Sequence, residues 1–264
     1  MEGDSIMNKI FVMADIHGST HPIKEFYRRN KDKENFDGTD IIIILGDAGL
    51  NFFLDERDYF FKRALCKLPF TYFIVRGNHE ERPTNCMGKN PDAWQTTQFF
   101  DGIVYEEKEF PKIKYAEDRP AFYNIKNYRT FIIPGAYSVD KYYRLMKGWQ
   151  WFEDEQLHPE EMEWGKELMK MNNLTCDLVL SHTCPCIFEP THLFFASIDQ
   201  STVDKTMERY LGYIEYGLDY KAWMWGHYHA YIDYPRTDNR KKVMVHHNPI
   251  NLEEYMENET TEVL

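Results

Sequence analysis

Short apolar runs alternate with longer amphipathic stretches along the chain. The runs are Lys9–Ala14, Asp40–Leu45, Phe70–Val75, Thr130–Ile133, Asp177–Leu180, Ala222–Trp225 and Lys242–Val245. They are rich in Ile, Val and Phe and bounded by Gly, Asp, Asn or Pro, which reads as strands buried on both faces. Helix-length stretches, Pro22–Arg29 and Glu56–Lys67, separate the first three. Such alternation predicts an α/β fold with a parallel sheet. Pro159 opens a further helix to about Met171, since Pro suits the first helical position and Glu160, Glu161 and Glu163 suit its positive end. Another helix is expected over Thr202–Ile214. Tyr231–Tyr234 and Val243–Val245 flank Thr237–Arg240 in the manner of a hairpin. Two stretches, Pro83–Pro120 and Val139–His158, show no clear period. Both are expected as irregular segments forming a cap or rim over a site.

Composition narrows the class. The 264 residues are 43% hydrophobic and 16% aromatic, enough for a sizeable core. One domain over residues 1–264 is expected, with residues 1–6 as an extension, because Met7 opens directly into the first apolar run. No run approaches the roughly 18 apolar residues of a membrane span, so no membrane partner is expected. The first residues lack the basic and apolar segments of a secretory leader. Five scattered cysteines (Cys66, Cys86, Cys176, Cys184 and Cys186) suggest reduced thiols and a cytoplasmic setting. Cys184 and Cys186 lack the C-x-x-C spacing of a zinc site. With 43 acidic and 31 basic residues the net charge is −12, which disfavours extended nucleic acid. A small anionic substrate stays open, provided something other than Lys and Arg supplies the positive charge.

The candidate chemistry lies where strands end. The first run leads into Asp15-Ile16-His17-Gly18, the second into Gly46-Asp47, and the third into Gly77-Asn78-His79-Glu80. The Asp177 run leads into Ser181-His182, and the Ala222 run into Gly226-His227-Tyr228-His229. Ligand crevices of α/β sheets lie beyond the carboxyl ends of the strands. Residues two apart in an extended segment point the same way, so Asp15 pairs with His17 and His227 with His229. Asp15, His17, Asp47, Asn78, His182, His227 and His229 are too many ligands for one tetrahedral zinc. They suit two octahedral-type divalent ions, with Mn²⁺ foremost and Fe, Zn, Ni or Co as alternatives. Asp47 is the natural bridge between them.

The ordered set D-x-H, G-D, G-N-H-E, H and G-H-x-H resembles the calcineurin-like metallophosphoesterase superfamily. Gly135–Arg144 and Trp149–Phe152 also resemble small stand-alone bacterial and phage members. The resemblance implies a four-layer α-β-β-α sandwich with its metal site at the carboxyl ends of the strands. It implies one ion on Asp15, His17, Asp47 and His229, and a second on Asp47, Asn78, His182 and His227. It also implies a metal-bridging hydroxide attacking a phosphomonoester or phosphodiester, with His79 stabilising the transition state or protonating the leaving group. One position departs from the pattern. Many G-N-H-E members carry an Asp three residues after the G-D aspartate to orient the histidine, and here that residue is Leu50. The Arg that follows it in the Ser/Thr protein phosphatases is Asn51. Asn51 or a carboxylate from elsewhere is expected to fill the gap.

Rival readings remain. A nuclease or a phosphoprotein phosphatase of the same superfamily would use the same centre, although the charge disfavours the first and Asn51 the second. A non-catalytic scaffold on this fold would be expected to have lost ligands, and none is lost here. Arg144 is a candidate phosphate clamp, because Arg presents a fork of donors, or else an ordinary solvated arginine. Trp149, Trp151 and Phe152 read as packing aromatics before base-stacking ones.

Overall fold

A computed structural model describes residues 8–258, apart from 195 and 237. The expected extension, residues 1–6, lies outside the described residues. Two sheets face each other and helices cover their outer faces.

The first sheet carries β1 (Ile10–Met13), β2 (Ile41–Leu45) and β3 (Thr71–Val75) in parallel register. The second carries β8 (Tyr128–Ile133), β9 (Leu178–Ser181), β10 (Ala222–Trp225) and β12 (Lys241–Met244), also parallel. The period-two pattern sorts each strand between two cores. Ile10, Val12, Ile43 and Leu45 pack with Ile132, Leu180, Met224 and Val243 between the sheets. Phe11, Met13, Ile42 and Ile44 face the other way. There they meet Ile23 of α1 (His21–Glu34) and Leu65 of α2 (Glu56–Leu65). On the opposite outer face Phe131, Val179, Trp223 and Trp225 meet Met169 of α5 (Pro159–Met171) and Leu211 of α6 (Thr206–Gly217). The order is therefore helix, sheet, sheet, helix.

Three expectations need correcting. Helix α1 runs on to Glu34, because the polar stretch after Arg29 is rich in helix formers, and it stops where Asn35 turns left-handed at φ 48°. Helix α6 begins at Thr206 rather than Thr202, where the Asp204 carboxylate accepts the Thr206 N–H at 2.9 Å. The largest correction concerns Pro83–Pro120. It is not irregular: it holds α3 (Pro83–Lys89), β4 (Trp94–Phe99), β5 (Gly102–Glu107) and β6 (Ile113–Tyr115). β6 joins β3 in parallel, and β5 and β4 follow to complete a seven-stranded sheet.

The remaining strands close the edges. β7 (Ala121–Ile125) pairs with β8, β11 (Ile232–Tyr234) pairs antiparallel with β12 as the hairpin pattern predicted, and β13 (Ile250–Asn251) flanks β1. Thr237, in the β11–β12 connection, lies outside the described residues. Val139–His158 contains α4 (Lys141–Lys147) and then runs without regular structure to α5. No described helix is long and apolar enough to cross a membrane.

Candidate metal centre

Five parallel strand ends from the two sheets meet at one place. Backbone bonds stitch them together: Asp15 N–H to Gly46 O at 3.1 Å, His17 N–H to Asp47 O at 2.8 Å, and Gly226 N–H to His182 O at 2.9 Å. Two groups of donor atoms result, each within 4.8 Å of one another: Asp15, His17, Asp47 and His229 in one, and Asp47, His182 and His227 in the other. Asp47 belongs to both. Asn78 completes the second group, with its Oδ1 2.9 Å from His182 Nε2. All seven candidate ligands are thus brought together.

The local backbone is bent to achieve this. Asp15, His17, Asp47, His227 and His229 all adopt positive φ, between 42° and 75°. Non-glycine residues rarely do so, and each instance costs roughly 1–3 kcal/mol unless the surroundings enforce it. Glycines clear the space. A Cβ on Gly77 would sit 2.2 Å from Asp47 Oδ1, and one on Gly46 would sit 2.1 Å from His182 Nδ1. Ring orientations are fixed from behind. His182 Nδ1–H donates to Leu45 O at 2.8 Å, which leaves Nε2 facing the centre. His247 Nε2–H donates to Asp15 O at 2.9 Å. Asn78 Nδ2 donates to Ser138 Oγ at 2.9 Å, and Ser138 is held in turn by the Glu155 carboxylate. The Glu80 carboxylate accepts from Gly49 N–H at 2.8 Å and Gly77 N–H at 3.1 Å, clamping two ligand loops.

The electrostatics call for positive charge. Burial raises the Asp15 carboxyl well above its ordinary value, despite His182 nearby. Burial acts the same way on Asp47, but the imidazoles of His79, His182 and His17 outweigh it and hold that carboxyl well below the usual range. Against its own burial, His182 is pushed up to about 9 by Asp47. Glu80 rises to about 7 through burial and the nearby Asp47 charge. His17 Nε2 and His229 Nε2 lie only 2.9 Å apart, so a proton or a cation must separate their lone pairs.

Comparison with known proteins agrees with this geometry. The family model described as calcineurin-like phosphoesterase matches residues 8–231. The chain belongs to the calcineurin-like phosphoesterase family. The structure of TT1561 from Thermus thermophilus is similar in fold, with 12% identity, a TM-score of 0.51, and coverage of 96% of this chain and 98% of that one. A dimetal phosphatase from Danio rerio aligns at 10% identity and a TM-score of 0.48, covering 91% of this chain and 87% of that one. No curated protein matches the sequence significantly. Calcineurin-like phosphoesterases hydrolyse phosphate esters and typically depend on two metal ions. The donor set fits that requirement: hard carboxylate and borderline imidazole donors, glycine-cleared space, and a facing histidine pair.

This member of the family treats its motif histidine unusually. Leu50 is fully buried among apolar neighbours and cannot orient His79. Asn51 does not fill the gap either, because its Oδ1 accepts from Lys62 Nζ at 2.6 Å. Arg144 takes the place instead. Its Nη2 lies against the His79 ring, in contact with Nδ1 and 3.0 Å from Nε2. Asp140 and the Gln150 carbonyl hold the guanidinium at 2.7 and 2.9 Å. Arg144 is 5% exposed, so the solvated reading of this residue is wrong. Burial, with Arg144 and His17 adding to it and Asp47 opposing, lowers His79 to about 4. The aromatics that follow divide: Phe152 is buried near Phe52, whereas Trp149 is 57% exposed. The sequence reading missed Ser138, Glu155 and the loop-clamping part of Glu80. Glu80 had a signal in its place in the G-N-H-E motif and Ser138 in its place within Gly135–Arg144, whereas Glu155 had none.

Proposed function

We propose that the protein is a binuclear metal-dependent phosphoesterase acting on a small phosphate ester. The observation that carries this reading is the pair of donor clusters sharing Asp47 at the joined strand ends. Asp15, His17, Asp47 and His229 would hold one divalent ion, and Asp47, Asn78, His182 and His227 would hold the other. Mn²⁺ is the proposed ion, and Fe, Zn, Ni or Co also suit these donors. When bound, the ions supply Lewis-acid charge to phosphoryl oxygens and bring the pKa of water towards neutrality. The protein's own residues do the rest. A guanidinium only donates, and Nδ1 is the His79 nitrogen nearer Arg144, so Nδ1 is assigned as the acceptor and Nε2 as the carrier of the proton. His79 therefore donates a hydrogen bond, through Nε2–H, to a phosphoryl or leaving oxygen. Arg144 holds that ring in place, and Ser138 with Glu155 fixes Asn78.

The net charge of −12 does not oppose this reading, because metal rather than surface Lys and Arg meets the anion. It still disfavours extended nucleic acid. Five unpaired cysteines fit a reducing, cytoplasmic setting.

Aryl phosphate hydrolysis by chelator-stripped protein, before and after Mn²⁺ is restored, is the test. Activity should appear with the metal. His79→Ala should cut turnover about 10²–10⁴-fold while metal content stays near the wild-type level. A metal-loaded wild type inert towards every aryl phosphate would sink the reading.

A further inference from the structure

Two cavities open from the metal centre, and His79 borders both. One, of about 400 Å³, is reached by Asp47, Asn78, His227 and His229. The other, of about 530 Å³, is reached by His17. Among the described residues His79 is the one that lines both. Each falls within the range of a small-ligand site. A phosphomonoester needs room for one organic group beside its phosphate. A second cavity of similar size, bordering the same centre, is left unused by such a substrate.

The walls differ in chemistry. The first cavity is a mostly apolar slot lined by Tyr137, Val139, Phe194, Ile198 and Val203. Phe194 stacks near-parallel on Tyr228 at 6.1 Å, and Lys205 Nζ lies 5.0 Å from the centre of the Phe194 ring. The buried carboxyl of Glu208 also lines this slot. One of its oxygens accepts from Thr183 Oγ1 at 3.1 Å, and Oε2 has no partner among the described residues. A buried carboxyl oxygen without a partner is costly, and a bound donor would relieve it. The second cavity is aromatic and cationic, walled by Phe52, Phe53, Arg57, Arg144 and Trp149. Arg57 lies 3.7 Å above the Phe53 ring.

Resting on the phosphoesterase reading, we infer that the substrate is a phosphodiester with two unlike arms. A flat, largely apolar arm carrying a hydrogen-bond donor enters the slot and reaches Glu208. A flat or anionic arm lies in the aromatic and cationic cleft. Hydrolysis consumes one water: a new P–O bond forms and one ester P–O bond breaks. One arm leaves as an alcohol, the other stays on a phosphomonoester, and one proton is released.

The test compares bis(p-nitrophenyl) phosphate with p-nitrophenyl phosphate on the Mn²⁺-loaded enzyme. The diester should be favoured at least tenfold in kcat/KM. Ile198→Trp, which fills the slot, and Trp149→Ala, which strips the cleft, should each lower the diester-to-monoester ratio at least fivefold. Calorimetry on the metal-loaded His79→Ala variant gives a readout without turnover: diphenyl phosphate should bind at least tenfold more tightly than phenyl phosphate. Preference for the monoester, equal scaling of both esters in the variants, or equal binding of the two ligands would each overturn the inference. Turnover of the monoester alone would leave the phosphoesterase reading standing and remove this one. Turnover of neither ester would remove both.

Discussion

Pro83–Pro120 and Val139–His158 look alike in the sequence, since both are rich in aromatic and charged residues and lack a clear period. They fold to opposite ends. The first becomes a wing of three strands and a helix on the first sheet and lines neither cavity beside the metal centre. The second keeps one short helix and contributes Val139, Asp140, Arg144, Gly148, Trp149 and Gln150 to those cavities. The difference lies in what each buries. The wing buries Trp94, Val104, Ile113 and Tyr115 in the two cores of its sheet. The helix of the other segment buries Arg144 and leaves Tyr142, Leu145 and Met146 exposed. Aperiodic, aromatic sequence thus signals either an edge of the sheet or a wall of the site, and the partner of the buried side chain decides which.

Mutations separate the two. The largest effect is expected in the wing: Trp94→Ala should cost about 3–5 kcal/mol of stability by leaving a cavity, with kcat/KM per folded molecule within twofold of wild type. Denaturant titration beside kinetics checks this, and a large kinetic defect would make the wing part of the site. Next comes Arg144→Ala, expected to lower kcat about 10–100-fold with little change in KM, because it loosens His79. Activity kept within twofold would break the contrast between the segments.

Glu208, which lines the same slot as Val139, gives a smaller, pH-dependent effect. Burial raises its carboxyl to about 7 from an ordinary 4.5, with Lys205 lowering it and Glu189 raising it. The folded protein keeps this proton after the unfolded chain has lost it. Stability from this group is therefore greatest below about 4.5 and declines as pH rises through about 7. Glu208→Gln should gain about 1–3 kcal/mol over wild type at pH 8, and the gain should vanish near pH 4. Melting curves across that range would show it, and parallel profiles for the two proteins would contradict it. The smallest effect is expected at Tyr142, which is 69% exposed: Tyr142→Ser should shift stability by no more than about 0.5 kcal/mol.

Much of this was legible in the sequence. The buried strands announced themselves as apolar runs, and the seven donors stood at their carboxyl ends, because a parallel sheet collects its strand ends at one edge. The wing was not legible. Its β4–β5 turn is Phe100-Asp101, both at positive φ, where the common signal would be Asn-Gly. The β7–β8 turn uses Lys126-Asn127 in the same way. β4 is an edge strand with few buried positions, so its Trp-Gln-Thr-Thr-Gln-Phe shows no clean alternation. The contact of Arg144 with His79 was hidden for another reason: it joins residues 65 apart, with the wing, β7 and β8 between them, and no periodicity encodes that. Leu50 announced only that the usual partner of His79 was missing.

Metal stoichiometry, measured by mass spectrometry on wild type and Asp47→Asn after reconstitution with Mn²⁺, bears most directly on the shared centre. Wild type should hold about two ions per chain, and Asp47→Asn, having lost the carboxylate common to both clusters, should hold about one or fewer and lose hydrolysis with them. Fewer than one ion in wild type, or two ions and undiminished hydrolysis in Asp47→Asn, would contradict a binuclear centre built on Asp47.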